Sequence, residues 1–426
     1  MSLKINIENI SNKNREKIND ELKIVIPSES NIRPDKIIQP YDLIGDHVYI
    51  PFSYGANELK ITRPDRKNFP AMNLKFKGEL RDEQKNVKKE ALDYLTKTGC
   101  VILSLYTGAG KTALSINLAS NIKLKTLVIV NKIVLMKQWE ESILKFCPEA
   151  LIQRLTPQSK IKESDFYIMN AINVEKMGKT FYKDIGCVIV DEAHLIMAET
   201  LVRSLKYICP RYLIGLSATP YRNDGLNGLL DFYFGKNKII REMNREHIIY
   251  RVYTDIKIEM ELADNGRVNW GAVLKSQSED EERNELIVKI IIHFTERNFL
   301  VLCKRVEQAN YLFKRLKENG EYVDNLIGSK QEFDKEARIL VGIHQKISVG
   351  FDHPKLDTLL LATDLDSYFI QSLGRVFRRQ DTIPIVFDLV DKNAILVKHY
   401  KNRKEVYTKV GGKIKDFNKE FPEFFK

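Results

Sequence analysis

The segment Gly108-Ala109-Gly110-Lys111-Thr112 holds residue types that bind a polyphosphate. Two glycines let main-chain N–H groups come close to anionic oxygens. The run 113–119 that follows reads as a helix whose first turn faces the anion. In that setting Lys111 pairs with the β- and γ-phosphates, and the Thr112 hydroxyl ligates Mg2+. The generic phosphate loop has a glycine six residues before its lysine. This chain has Leu105 there, which narrows the nucleotide-binding loops it can match.

A second segment, Asp191-Glu192-Ala193-His194, directly follows the apolar run Val188-Ile189-Val190. Two carboxylates at a strand's end can divide the work: Asp191 on Mg2+, Glu192 orienting and deprotonating a water. A solvated acidic turn would look the same in isolation, but a phosphate loop about eighty residues earlier gives the pair something to act on. His194 beside them reads as a relay to other parts of the machine. A third segment is Gln371-Ser372-Leu373-Gly374-Arg375-Val376-Phe377-Arg378-Arg379. Arg375 and Arg378 stand one helical turn apart and share a face, as two arginines on a basic surface helix also would. Facing a γ-phosphate, with Gln371, they supply the charge of arginine fingers, worth roughly 10³–10⁵ in rate.

These segments need parallel strands and helices to place them. Apolar runs at 100–104, 126–130, 166–169, 188–190 and 212–216 alternate with helical patterns, which indicates buried strands of an α/β sheet. The pattern repeats with runs at 299–303, 338–341, 358–361 and 383–387, so a second α/β domain follows, joined near 225–244. The opening region carries Pro27, Pro34, Pro40, Pro51, Pro64 and Pro70, which break long helices, and one strand-like run at 47–52. It reads as a small β-rich or mixed accessory domain. Its Phe52, Tyr54, Arg63, Arg66 and Lys67 mix aromatic and basic groups, as a nucleic-acid surface or an ordinary half-buried one would.

Lys and Arg number 68 against 57 Asp and Glu, a net charge of +11 that favours a polyanionic partner. The lysine-rich stretch 392–419 would extend such a track, or form a solvated helix. Five scattered cysteines with no C-x-x-C pair exclude a zinc ribbon, an iron–sulfur cluster and a disulfide framework. The apolar runs are too short to cross a bilayer, and the first residues lack a secretory layout, so no membrane partner and a soluble intracellular protein are expected.

In this order the three segments resemble helicase superfamily 2, over 80–388. Further stretches carry the likeness. Leu80-Arg81-Asp82-Glu83-Gln84 resembles the adenine-reading element, which places Arg81 and Gln84 with Thr107, Gly108, Ala109, Gly110, Lys111 and Thr112 around the nucleotide. The stretch 131–139 resembles the first nucleic-acid-contacting motif, with Asn131 and Lys132 as contacts. Lys304 and Arg305, after the first recognised strand of the second domain, are candidate contacts as well. Ser217-Ala218-Thr219 resembles the motif coupling hydrolysis to movement, through Ser217, Thr219 and His194. Gly350-Phe351-Asp352-His353-Pro354 resembles the motif whose aspartate, here Asp352, lies near the ATP ribose. His344 stands where that motif commonly has a phosphate-contacting threonine.

The resemblance implies two tandem RecA-like parallel-sheet domains, 79–235 and 236–426, behind an accessory domain at 1–78. It implies ATP and Mg2+ as cofactors, with Thr112 and Asp191 on the metal. The finer likeness is to duplex-DNA translocases of the xeroderma pigmentosum B type. It is carried by Tyr106-Thr107-Gly108-Ala109-Gly110-Lys111-Thr112, Gln138-Trp139 and Ala218-Thr219-Pro220-Tyr221-Arg222-Asn223-Asp224-Gly225. Among their viral and phage relatives it resembles the poxvirus transcript-release group most, then phage branch-migration helicases. The cellular proteins carry Arg-Glu-Asp where this chain has Arg222-Asn223-Asp224. The expected activity is ATP-driven movement on nucleic acid: DNA that is duplex, branched or single-stranded, with RNA as the other polymer. Transcription termination and recombination or repair, with their proteins as partners, are the expected settings. A viral source would place the protein in host cytoplasm or virion. Two other readings stay open: an ATP-switched remodelling subunit that binds nucleic acid without processive unwinding, and a small-molecule kinase, which has no use for the Arg375/Arg378 element.

Overall fold

A computed structural model of the chain describes residues 1–26, 35–197, 205–217, 226–258, 260–263, 266, 268–330, 332–347, 353–365, 369–377, 379 and 381–425. It divides into two units, Met1–Leu105 with Ala109–Arg241, and Glu242–Lys426 with Tyr106–Gly108.

The apolar runs of the first unit become a seven-stranded sheet. Its order is Lys238–Arg241, Cys100–Leu105, Tyr212–Ser217, Cys187–Val190, Thr126–Val130, Phe166–Asn170 and Ile152–Leu155. Every neighbouring pair is parallel. The inner strands are Val, Ile and Leu buried on both faces, as helices covering a parallel sheet require. Because the strands run one way, the loops leaving Leu105, Val130, Val190 and Ser217 emerge along one edge. That edge is where open α/β sheets bind ligands.

The second unit repeats the design with another seven-stranded parallel sheet. Its order is Val323–Leu326, Ile339–Ile343, Phe299–Cys303, Thr358–Leu361, Ile385–Val390, His247–Tyr253 and Gly412–Asp416. Two seven-stranded parallel sheets in succession are tandem RecA-like domains. In sequence order the second sheet opens with His247–Tyr253, not with the run at 299. The lysine-rich end is part of this unit rather than a solvated tail. Helix Ala394–Lys409 buries Leu396, Tyr400, Arg403 and Tyr407, a stripe at helical spacing, and Gly412–Asp416 is an edge strand.

The opening region forms two small antiparallel sheets. Ser2–Asn6 and Asp42–Ile44 flank His47–Pro51, and Ile24–Ile26 pairs with Lys36–Ile38. Met1, Leu3, Ile24, Ile38 and Phe52 merge into the core of the first sheet. Phe52 and Tyr54 are therefore buried and cannot stack bases. Arg66 donates to the Ile122 carbonyl at 2.6 Å, and Arg63 to the carbonyls of Leu95 and Thr96 at 3.3 and 3.1 Å. These arginines bind the region to the first lobe's helices, as the half-buried alternative of the two has it.

Candidate active site

Gly108 and Gly110 adopt positive φ of 90° and 82°, a region that glycine enters without a steric penalty. A side chain on Gly110 would also press on the Gln84 amide and force it to shift. Gln84 explains the crowding. Its Nε2 donates to the Ala109 carbonyl at 2.9 Å, and its Oε1 accepts the Arg81 N–H at 2.9 Å, capping helix Asp82–Thr98. Gln84 thus braces the loop, with both ends of its amide engaged by main chain. Lys111 opens helix Lys111–Ile122 and turns its ammonium back to the Leu105 carbonyl at 2.7 Å, so the cation lies over the loop. Thr112 follows on the same first turn, half-buried.

The acidic pair sits two strands away on the same edge, after Cys187–Val190. Glu192 takes the left-handed conformation, φ 49° and ψ 51°. For a residue with a Cβ this costs about 1–2 kcal/mol. Asp191 Oδ1 accepts the Glu192 N–H at 3.1 Å, and Oδ2 accepts the indole N–H of Trp139 at 2.9 Å. Burial, with the Glu192 charge beside it, pushes the Asp191 carboxyl up to about 6. The Trp139 bond, the nearby Lys111 cation and the Glu192 N–H pull the other way. An effect of Lys111 on Asp191 means that the loop and the acidic pair share one electrostatic site.

His194 is buried, and its Nδ1 lies 2.9 Å from Ser217 Oγ and 3.5 Å from Glu192 Oε2. It links the end of Tyr212–Ser217 to the acidic pair. Asn131 and Lys132 leave the same edge after Thr126–Val130, Asn131 half-buried and Lys132 exposed. The Asn131 Oδ1 is buried with no hydrogen-bond partner among the described residues. The helix that follows begins with Ile133, 71% exposed, and Val134, 40% exposed, which leaves apolar surface beside this loop.

In the second unit, Arg375 is half-buried on helix Phe369–Val376, which also carries the backbone of Gln371. Lys304 and Arg305 follow Phe299–Cys303. The Lys304 N–H donates to Thr363 Oγ1 at 2.9 Å, and Arg305 Nη2 to the Gly271 carbonyl at 3.0 Å. His344 opens the short helix after Ile339–Ile343. Thr219, Asp352, Arg378 and the Gln371 side chain lie outside the described residues, as do 220–225 and 350–351.

Sequence reasoning gave no role to three residues. Trp139 was visible as half of a Gln-Trp pair. Its four-residue spacing from Leu135 and Ile143, both buried with it, marks the inward face of helix Ile133–Phe146. Arg245 donates to the carbonyls of Phe377, Arg379 and Thr382, the last at 2.9 Å, just beyond the Arg375 helix. Arg403 reaches Asp364 Oδ1 at 2.6 Å, the Leu365 carbonyl at 2.7 Å and both oxygens of Asp388 at 2.9 and 2.8 Å. The two guanidiniums hold the chain on either side of that helix.

A family model described as type III restriction enzyme, res subunit, matches residues 77–222. "Putative helicase 161L" of Invertebrate iridescent virus 6 is 45% identical over 444 residues, covering 98% of this chain and 100% of that protein. "Putative helicase 055L" of Frog virus 3 (isolate Goorha) is 34% identical over 379 residues, covering 87% and 86%. The solved structure of a S. cerevisiae Dbp5 variant bound to RNA and ADP BeF3 is similar in fold, with TM-score 0.54 and 14% identity over 79% of this chain and 92% of that one. Tandem RecA-like sheets with a phosphate loop and an acidic pair on one strand edge define an ATP-dependent helicase of superfamily 2. Identity of 45% across nearly the whole of both chains places it within that class: the chain belongs to the viral helicase family of the iridescent-virus protein.

Proposed function

We propose that this helicase is a DNA translocase whose first lobe holds MgATP and whose second lobe completes the hydrolytic site. The observation that carries the proposal is the single strand edge that gathers Lys111, Asp191, Glu192, the Ser217–His194 link and Asn131. The residues fit the nucleotide. Gly108 and Gly110 open the loop's main chain, Lys111 brings a cation to it, and Arg81 and Gln84 flank it on the adenine side. Thr112 and Asp191 would hold Mg2+, a hard cation that takes one or two protein ligands and fills its shell with phosphate and water. The metal, when bound, neutralises charge on the β- and γ-phosphates.

Glu192 takes the proton of the attacking water, with its Oε2 3.5 Å from His194 Nδ1. Arg375 and Arg378, with Gln371, stabilise the charge on the transferring phosphoryl group, while Asp352 serves the ribose. Ser217, Thr219 and His194 pass the state of the acidic pair to the strand-holding loops. Asn131, Lys132, Lys304 and Arg305 grip the sugar–phosphate backbone without reading bases. Segments 1–78, 79–235 and 236–426 act as accessory domain, ATP-binding lobe and second lobe, though the first sheet itself runs on to Arg241. DNA as the polymer is supported by the Gln138-Trp139 and 218–225 segments, which resemble duplex-DNA translocases. Transcription termination or recombination and repair in a virus-infected cell are the proposed settings, with host cytoplasm or virion as the place.

The test is the steady-state ATPase rate without nucleic acid and with single-stranded DNA, duplex DNA, branched DNA or RNA. Strong stimulation by DNA is expected, and branched DNA as the best activator would select recombination. Stimulation by RNA alone would replace the polymer. A rate indifferent to every nucleic acid would overturn the translocase reading.

A further inference from the structure

Trp139 is 2% exposed, in the middle of helix Ile133–Phe146. An indole N–H withdrawn from water needs an acceptor. Trp139 finds one 52 residues away in sequence, Asp191 Oδ2 at 2.9 Å. The other oxygen of that carboxylate accepts the Glu192 N–H at 3.1 Å. With one donor on each oxygen the carboxylate plane cannot rotate freely, and each oxygen keeps further acceptor capacity for a ligand. A water in place of the indole would satisfy Oδ2 without fixing its direction. The indole lies on the buried face of the helix, which it shares with Leu135, Met136 and Ile143.

We propose that Trp139 is the positioning residue of the nucleotide site, orienting Asp191 toward the metal through a single indole hydrogen bond; this rests on the assignment of Asp191 to that site. Groups that orient a metal-bound side chain commonly matter about 10–100-fold in metal affinity or activity. The helix that carries Trp139 starts directly after Asn131 and Lys132, so one rigid element joins the proposed strand-gripping loop to the acidic pair. No described side chain other than Trp139 is seen to donate to Asp191.

Trp139→Phe keeps an aromatic ring and deletes the donor. In the full chain we expect kcat for ATP to fall roughly 10- to 100-fold, the Mg2+ half-saturation to rise, and the KM for ATP at saturating Mg2+ to stay within about twofold. Wild-type kcat and Mg2+ half-saturation in W139F would overturn the positioning role. Asp191→Asn, run alongside, separates the two readings: wild-type turnover in D191N sinks the site assignment itself. A second measurement does not depend on W139F folding. The chain has two tryptophans, so in Trp270→Phe the emission comes from Trp139 alone. MgATP is expected to change that emission in W270F and to leave it unchanged in W270F/D191N. Emission unmoved by MgATP in W270F, or moved equally in both chains, overturns the proposal.

Discussion

Lys111 already spends its charge inside the phosphate loop, 2.7 Å from the Leu105 carbonyl, so its ammonium needs little displacement to meet a phosphate. Replacing it should cost the chemistry and spare the fold, because Lys111 is not among the buried residues of its helix. Lys111→Ala is expected to lower ATP turnover by at least about 10²-fold, the order seen when one preorganised donor to developing charge is removed. The melting temperature should be unchanged. Near-wild-type turnover in this variant would sink the assignment of the loop. At this scale the sequence named candidates wherever residue type and immediate neighbours suffice to suggest a role, as for Lys111, Thr112 and the Asp191-Glu192 pair. It was silent on Trp139 because that role depends on the strand order, which brings residues 139 and 191 together. It left two readings of Phe52 and Tyr54 open: an aromatic among basic residues looks the same whether it stacks a base or fills a core.

Helix Phe369–Val376 shows what an element requires beyond its own sequence. It has only eight residues and depends on the chain around it. Arg403 is 2% exposed, and it holds Asp364 and the Leu365 carbonyl before the helix and Asp388 in the adjoining strand. Desolvating a guanidinium and two carboxylates offsets much of their attraction, so the cluster is weak evidence of net stabilisation. Removing one member is different, since it strands the others in a dry core, at a cost of about 3–5 kcal/mol. Arg403→Met should therefore lose stability of that order in urea unfolding and depress ATP turnover. A loss below about 1 kcal/mol would mean that Asp364 and Asp388 find other partners. The elements most legible in the sequence were strands buried on both faces, such as Thr126–Val130 and Phe299–Cys303, where every position is buried. Edge strands were missed. Ile152–Leu155 carries Gln153 and Arg154, Val323–Leu326 carries Asp324 and Asn325, and Gly412–Asp416 carries Lys413 and Lys415, because one side of each strand is unpaired. The last expected strand was shifted as well: Pro384 has no N–H for the ladder, and the strand begins at Ile385.

For the whole molecule, two buried histidines set an acid limit on the second unit. Burial lowers His247, and it lowers His353 to about 4 from an ordinary 6.5. Folded, both rings stay neutral where the unfolded chain would protonate them. Their contribution is thus complete above pH 6.5 and is lost as pH falls below it, that of His353 through about 4. Asp191, raised to about 6, acts with the opposite sign in the first unit. The melting temperature of the second unit should drop between pH 6.5 and pH 5, and His353→Gln should flatten that slope. A slope unchanged in the variant would place the acid sensitivity elsewhere. None of the described helices is long and apolar enough to cross a membrane.

The cysteines have a practical consequence. All five are free, with Cys100, Cys147, Cys187 and Cys303 buried and Cys209 half-buried. Burial raises every one of the thiols, Cys187 and Cys303 to about 12, which lowers the thiolate fraction open to an alkylating dye. The natural chain is therefore already a quiet background for fluorescent labelling. One cysteine placed at Lys137, whose side chain is 64% exposed, and another at Lys314, 78% exposed, would give each lobe its own reporter. The emission of each dye would then follow its own lobe during turnover without any native thiol having to be removed.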